Sequence, residues 1–359
     1  MTSSFVASGE DPGPRRLPPA ALPAAARTPL LDDAGRVREP LIVVDLDGEP
    51  GDLDVAVRAA AASDRVLVGT TSRTGDLSGL QPLLRRLDVT VVPAGSAVTG
   101  PCAVEVADVA AAVTALHAVA VAHPHAAVMV ARVLRCTGAL PVADALDFES
   151  LAYSTLLGGP EFALWLASRG PRPVPPPATD PVLVDRAGDQ LRITLNRPER
   201  RNAYGRELRD ALVQALELAE WDPTIDRVVL HGAGPAFCSG GDLDEFGTTP
   251  DLTTAHLVRT RCGAALPLHR LSDRLEVRLH GACVGAGIEL PAYAGHVVAA
   301  PDTLIRLPEV AMGLIPGAGG TVSIPRRAGR WRTAFLALSG EAVDASTALS
   351  WGLVDEITG

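Results

Sequence analysis

Short continuous apolar runs alternate with amphipathic stretches along this chain, and the alternation predicts an α/β architecture. Leu41 to Leu46 (LIVVDL) reads as a buried strand, Asp52 to Ser63 as an alanine-rich helix and Arg65 to Gly69 as a second strand. A helix around Leu77 to Leu87 and a strand Val89 to Val92 complete a βαβαβ run. From Asp108 onward the apolar residues recur every three to four positions through Trp165, which is a helical period. Pro124 and the Gly138-Ala139-Leu140-Pro141 segment break it into separate helices. Further on, Val182 to Val184 and Leu191 to Leu195 suit antiparallel strands joined at Ala187-Gly188-Asp189, and Leu208 to Trp221 is an amphipathic helix. Arg227 to His231, Leu275 to Leu279 and Val297 to Ala300 read as strands, Arg332 to Leu338 and Ala345 to Trp351 as helices.

Proline punctuates this order. Pro171, Pro173, Pro175, Pro176, Pro177 and Pro181 favour extended backbone and mark a linker over 171–181. The chain therefore divides into a disordered or draped tail (1–40), a small α/β block (41–105), a helical block (106–170), the linker, and a mixed α/β domain (182–359). At 359 residues and 47% hydrophobic it has ample material for a core. The net charge of -10 argues against a broad nucleic-acid surface. All 32 basic residues are arginine, which excludes Schiff-base chemistry on lysine and a phosphate-loop lysine. The five cysteines have no close spacing, so neither a disulfide framework nor a zinc or other metal site is expected. The tail lacks the apolar stretch of a secretory signal. Ala107 to Leu134 is alanine-heavy and broken at His123-Pro124-His125, too weakly apolar to span a bilayer. A cytoplasmic protein without membrane association is the expectation.

Four segments of the C-terminal half carry chemistry. Asn196 to Ala203 (NRPERRNA) connects a strand to a helix. Phe237 to Leu243 (FCSGGDL) contains two adjacent glycines, whose N–H groups can approach a ligand because no Cβ intervenes. Cys238 has no cationic neighbour in sequence and reads as a small core residue. His280 to Leu290 (HGACVGAGIEL) leads from a strand into a helix start, where free N–H groups favour negative charge. Leu307 to Thr321 (LPEVAMGLIPGAGGT) sets Glu309 amid apolar neighbours, where burial would raise its pKa.

In order, spacing and type these segments resemble the crotonase superfamily, the enoyl-CoA hydratase/isomerase enzymes, over roughly half the chain. The resemblance implies a ClpP/crotonase-like spiral of ββα units acting on acyl-CoA thioesters. It implies an oxyanion hole from the N–H groups of Gly241 and Ala286. Glu289 and Glu309 would hold water between them, with Glu309 donating a proton to the α-carbon. Coenzyme A would enter as part of the substrate, with no separate cofactor, and the assembly would be a homotrimer or dimer of trimers. Candidate CoA contacts are Arg200, Arg201, Ala203, Ser239 and Asp242. The acidic residue that relatives carry after the first glutamate is replaced around Ala294-Gly295.

Relatives continue past the equivalent of Asp355 to Gly359 into helices that complete the CoA pocket and the trimer. Segments His123 to Arg135, Ala145 to Thr155 and Pro160 to Pro173 resemble those helices, with Trp165 four residues before Arg169 and Ser168-Arg169 in place of the usual Lys-Arg. The expectation is that they cap the core from the N-terminal side, as in a circular permutation or a degraded second copy. An apolar face including Val128, Leu134, Leu146, Leu151 and Trp165 would cover the core, and Trp165 and Arg169 would meet CoA. An unrelated helical domain is the alternative. Hydration or dehydration of a 2-enoyl/3-hydroxyacyl-CoA is the activity expected first. Another crotonase reaction (isomerisation, thioester hydrolysis, C–C cleavage) and a non-catalytic acyl-CoA-binding subunit stand beside it.

Overall fold

The computed structural model describes residues 13–358 apart from 99, 173–176 and 178; five of the eleven residues of the expected proline linker thus lie outside the described residues. The first block is a five-stranded, all-parallel sheet in the order Arg16–Leu17, Leu41–Asp45, Val66–Thr70, Val89–Pro93, Ala103–Val106. Its central strands are buried on both faces, the environment that selects unbroken valine and leucine runs over alternation. Asp52 starts the intervening Leu53–Ala62 helix by accepting from the Val55 N–H at 3.0 Å. The Arg16–Leu17 and Ala103–Val106 strands were not anticipated. In the described part of the expected tail, the Arg16–Leu17 strand pairs with Leu41–Asp45, and the Arg65 guanidinium donates to the Thr28 and Pro29 carbonyls at 2.9 and 2.8 Å.

Four helices follow, Val109–Ala122, Pro124–Thr137, Val142–Leu157 and Pro160–Arg169. Proline stands in the first turn of the second and fourth, where its missing N–H costs nothing. The first two meet at a 110° bend, and no single helix among the described residues is long and apolar enough to cross a membrane. Pro124–Thr137 and Val142–Leu157 lie against the C-terminal half, joining both parts of the chain into one apolar cluster that includes Val43, Val130, Leu134 and Leu336. Of the expected covering face, Leu134 and Leu146 are buried, Val128 and Trp165 are half-buried, and Leu151 is 54% exposed. Leu151 fails because the buried stripe of its helix runs through Ala145, Leu146, Glu149, Ser150 and Ser154, and position 151 lies off that stripe. Arg135 fastens the block to the first sheet, donating to Asp88 at 2.8 Å through Nε. Arg330, from the C-terminal half, reaches the Leu87 carbonyl at 3.0 Å.

The C-terminal half is built on a six-stranded sheet ordered Glu356–Ile357, His296–Ala299, Leu275–Leu279, Arg227–Gly232, Gln190–Leu195, Val182–Ala187. Only the final hairpin is antiparallel, turning at Gly188 with φ +66° as its sequence suggests. A three-stranded sheet, Ala282–Val284, Leu304–Arg306, Val343–Asp344, stands beside it, and its first two strands lead to Ala286 and Glu309. The Leu252–Arg261 and Gly320–Ala328 helices complete the layer facing the N-terminal helices.

Candidate active site

Two loops are zipped together at the centre of the C-terminal half. The Phe237 N–H donates to the His280 carbonyl at 3.0 Å, and the Val284 N–H to the Cys238 carbonyl at 3.0 Å. Their approach depends on glycine: a Cβ on Gly287 would sit 2.2 Å from the Cys238 carbonyl oxygen, and Gly240 holds φ +100° beside the Val284 carbonyl. Asn202 anchors the assembly from below. Fully buried at φ +53°, it donates to the Ala233, Ala236 and Phe237 carbonyls at 2.9–3.1 Å and accepts from the Arg197 N–H at 2.8 Å. The N–H groups of Gly241 and Ala286 donate no hydrogen bond among the described residues, and both residues line a cleft of about 570 Å³. Cys238 is buried, which pushes its thiol up to about 12, in keeping with a packing role.

Glu289 and Glu309 line the same cleft. A Cβ on Gly285, which holds φ +50°, would fall 2.5 Å from Glu309 Oε1 and 3.7 Å from Glu289 Oε1, so both carboxyls lie over one glycine. Their surroundings differ. Glu289 Oε2 accepts from the Ala318 N–H at 2.7 Å and the Gly320 N–H at 2.9 Å, at the start of the Gly320–Ala328 helix. Glu309 Oε2 is buried without a hydrogen-bond partner among the described residues. Burial raises both carboxyls, Glu309 to about 8, and proximity to Glu309 and Glu149 raises Glu289 further. The Ala318 and Gly320 N–H groups work against that rise at Glu289.

A third glutamate comes from the N-terminal helices. Glu149, 1% exposed, accepts from the Gly319 N–H (2.8 Å) with one oxygen and from the Thr321 N–H (2.8 Å) and hydroxyl (2.7 Å) with the other. Burial pushes it up to about 7, against these three donors. One turn further along, the Tyr153 ring covers Gly317, where a Cβ would meet it at 2.3 Å. Neither residue figured in the sequence reading. The signal was present for Glu149: an acid in the inward stripe of its helix, where the period calls for an apolar residue. Arg259 of the Leu252–Arg261 helix, also unanticipated, stands over the Tyr153 ring with its guanidinium carbon 4.6 Å from the centroid.

Of the seven candidate CoA contacts, Asp242 lines the cleft. It is buried and accepts from Arg200 at 3.1 and 2.6 Å, while Arg200 also reaches Asp244 at 2.9 Å; much of that guanidinium is spent inside the protein. Ser239 and Arg201 are joined through backbone, the Ser239 N–H donating to the Arg201 carbonyl at 2.9 Å, and Ala203 is buried. Trp165 and Arg169 gather at Asp244 and Phe246 and are absent from the cleft lining. Arg169 stacks on Trp165 at 5.1 Å and approaches Asp244 at 3.6 Å, and Trp165 packs on Phe162 and Phe246 at 5.7 and 5.9 Å.

Residues 188–359 match the Enoyl-CoA hydratase/isomerase family. The chain is 35% identical to the 2,3-dehydroadipyl-CoA hydratase of Escherichia coli (strain K12) over 49% of this chain and 68% of that protein. It is 36% identical to the 1,2-epoxyphenylacetyl-CoA isomerase of the same organism, over 46% and 65% respectively. Among solved structures, the enoyl-CoA hydratase of Thermoplasma volcanium GSS1 is 32% identical with a TM-score of 0.44, covering 50% of this chain and 72% of that one. The chain thus spans about two thirds of the length of the curated relatives it matches. With the paired loops, the glycine-flanked carboxyls, the family match and the 35% identity to the 2,3-dehydroadipyl-CoA hydratase, the chain belongs to the enoyl-CoA hydratase/isomerase family and its C-terminal half has the crotonase fold.

Proposed function

We propose that this protein is a hydratase, adding water across the conjugated double bond of a 2-enoyl-CoA thioester or removing it from the 3-hydroxyacyl-CoA. The observation that carries the reading is the pair Glu289 and Glu309, two carboxyls over Gly285 in opposite hydrogen-bonding environments. In this scheme the thioester carbonyl oxygen sits between the Gly241 and Ala286 N–H groups. As water adds to the β-carbon, negative charge grows on that oxygen, and two fixed donors would each contribute on the order of 3 kcal/mol to the barrier reduction. Glu289, ionised, takes a proton from the attacking water. Glu309, protonated, gives one to the α-carbon, and proton transfer from Glu289 back to Glu309 closes the cycle. Environment separates the acid from the base, as general acid–base catalysis with two like groups requires.

The helices from Pro124 to Arg169 act in this reading as a cap supplied from the N-terminal side. Their support is the buried contact of Glu149 with the Ala318–Thr321 turn. CoA extends past the Asp242–Phe246 loop, and the assembly is a homotrimer or dimer of trimers. The test is a panel of 2-enoyl-CoAs, followed by loss of the conjugated thioester absorbance, with Glu289→Gln and Glu309→Gln in parallel. Each variant should lose at least two orders of magnitude in turnover while binding saturated acyl-CoA nearly as well. Equal turnover in wild type and both variants ends the hydratase reading.

A further inference from the structure

Arg259 is a charged side chain drawn into the cleft without a counter-ion. Its Nε donates to Ser150 Oγ at 3.0 Å, and its Nη2 donates to the Ser150 carbonyl at 3.3 Å and to Ser154 Oγ. Nη1 donates no hydrogen bond, and no carboxylate lies within ion-pair distance of the guanidinium among the described residues. The ring face of Tyr153 is its remaining support. Burial lowers its pKa, and Tyr153 and Glu149 offset that only in part. Holding an unpaired guanidinium here is costly, and a leucine would pack the same wall without the cost. Structure alone does not account for it.

Its position says what it would meet. Tyr153 packs on Gly317, one residue before Ala318, whose N–H holds Glu289. Arg259 is therefore one aromatic ring away from the turn whose N–H groups hold the Glu289 carboxyl. The pantetheine arm keeps the CoA phosphates far from the thioester, so a group this near Glu289 faces the acyl part. The wall around it is mixed, with Leu146, Leu157, Ala255 and Val258 lining the same cleft. An acyl chain would run along the apolar side chains and end at the charge.

We propose that Arg259, stacked on Tyr153, forms an acyl-end subsite for an anionic group, so that the preferred substrates are acyl-CoAs whose acyl chain carries its own carboxylate. The inference rests on the reading of this cleft as the acyl-CoA site and deepens it. A guanidinium with one edge bound to Ser150 and Ser154 still presents the geometry that carboxylates accept. It also offsets the repulsion an anionic acyl chain would feel from Glu289 and Glu149.

The experiment is a binding comparison that needs no turnover. Two S-alkyl-CoA thioethers of equal chain length, one ending in carboxylate and one in methyl, are titrated calorimetrically into the full-length protein over a series of lengths. At the matching length the carboxylate ligand should bind about tenfold tighter or more, as a charged hydrogen-bonded pair implies. Arg259→Leu should abolish or reverse that preference while the methyl-ended ligand still binds, which also shows that the variant is folded. N-acetylcysteamine thioethers, which carry no phosphate, should keep the wild-type preference. Equal affinity of the two ligands in wild type at every length, no binding of either, or a preference that survives Arg259→Leu overturns the proposal. So does a preference lost in the phosphate-free pair, which would assign Arg259 to a CoA phosphate. If enoyl-CoA turnover is absent but the carboxylate preference is present, the hydratase reading fails and this subsite stands.

Discussion

Glu149 and Glu289 accept hydrogen bonds from alternate N–H groups of one turn: Ala318 and Gly320 point to Glu289, Gly319 and Thr321 to Glu149. One carboxyl comes from the C-terminal half, the other from a helix upstream of the proline-rich segment. The turn that holds Glu289 is thus held on its other side by the N-terminal helix. Glu149 is a positioning residue in this arrangement.

The first prediction follows from its charge. A Glu149 carboxylate raises the pKa of Glu309, whose protonated form the scheme requires. Glu149→Gln removes that influence, so Glu309 loses its proton at lower pH. The basic limb of the kcat/KM profile should move toward acid, accompanied by a fall in kcat from the disturbed turn. A variant that is slower with an unmoved basic limb would show that Glu149 acts only as a packing group.

Stability should carry the same signature. Glu309 and Glu149 are raised in the folded protein to about 8 and about 7, against 4.5 for an unperturbed carboxyl. Between those values the folded state holds more protons than the unfolded one, so these groups stabilise the fold below pH 4.5 and that contribution is lost as pH rises through 7 and 8. His231 and His269, lowered by burial, work in the opposite sense as pH falls through 6.5. The difference between wild type and Glu309→Gln isolates the carboxyl. Urea midpoints of wild type should fall more steeply from about pH 5 to about pH 8.5 than those of the variant. Parallel curves would mean Glu309 is ionised in the folded protein across this range.

How far these features could be read from sequence depends on their length. The glycine loops and Glu309 are legible because a close backbone approach admits almost only glycine, and an acid among apolar neighbours stands out. The Ala282–Val284 and Leu304–Arg306 strands are three residues each, too short for any period to show. Leu252–Arg261 buries little beyond Ala255 and so has no apolar stripe to betray it. Arg259 reads as an ordinary surface arginine until Ser150 and Ser154, more than a hundred positions away, are seen beneath it. The pairing of Glu149 with the 318–321 turn is of the same kind: each half is local, and only the fold joins them.

Gly285→Ala tests the geometry of the two carboxyls directly. The residue holds φ +50°, and an added Cβ would press to 2.5 Å from Glu309 Oε1. Relief requires moving Glu309 or turning the backbone that presents the Ala286 N–H. Either costs transition-state stabilisation, and kcat should fall about a hundredfold with KM for the CoA substrate changed little. A KM effect with kcat intact would separate this turn from the chemistry.

The last prediction concerns the dependence of the C-terminal half on the helices before it. A fragment of residues 182–359 exposes the faces of Gly320–Ala328 and Arg330–Ser339 that Pro124–Thr137 and Val142–Leu157 cover. The side chains Val130, Val133 and Leu134 are each about 1% exposed or less in the intact chain. Burying each contributes roughly 1.5 to 3 kcal/mol, a large part of the roughly 5 to 15 kcal/mol that holds a domain folded. The fragment also leaves the Gly319 and Thr321 N–H groups without the carboxyl that accepts them, and it lacks Tyr153 behind Gly317. Light scattering should show aggregation where the full chain is monodisperse. Supplying residues 13–172 as a separate chain should restore solubility and turnover together, because Glu149 returns with the apolar faces. A soluble 182–359 fragment with full turnover would make the upstream block an independent passenger and remove Glu149 from the site.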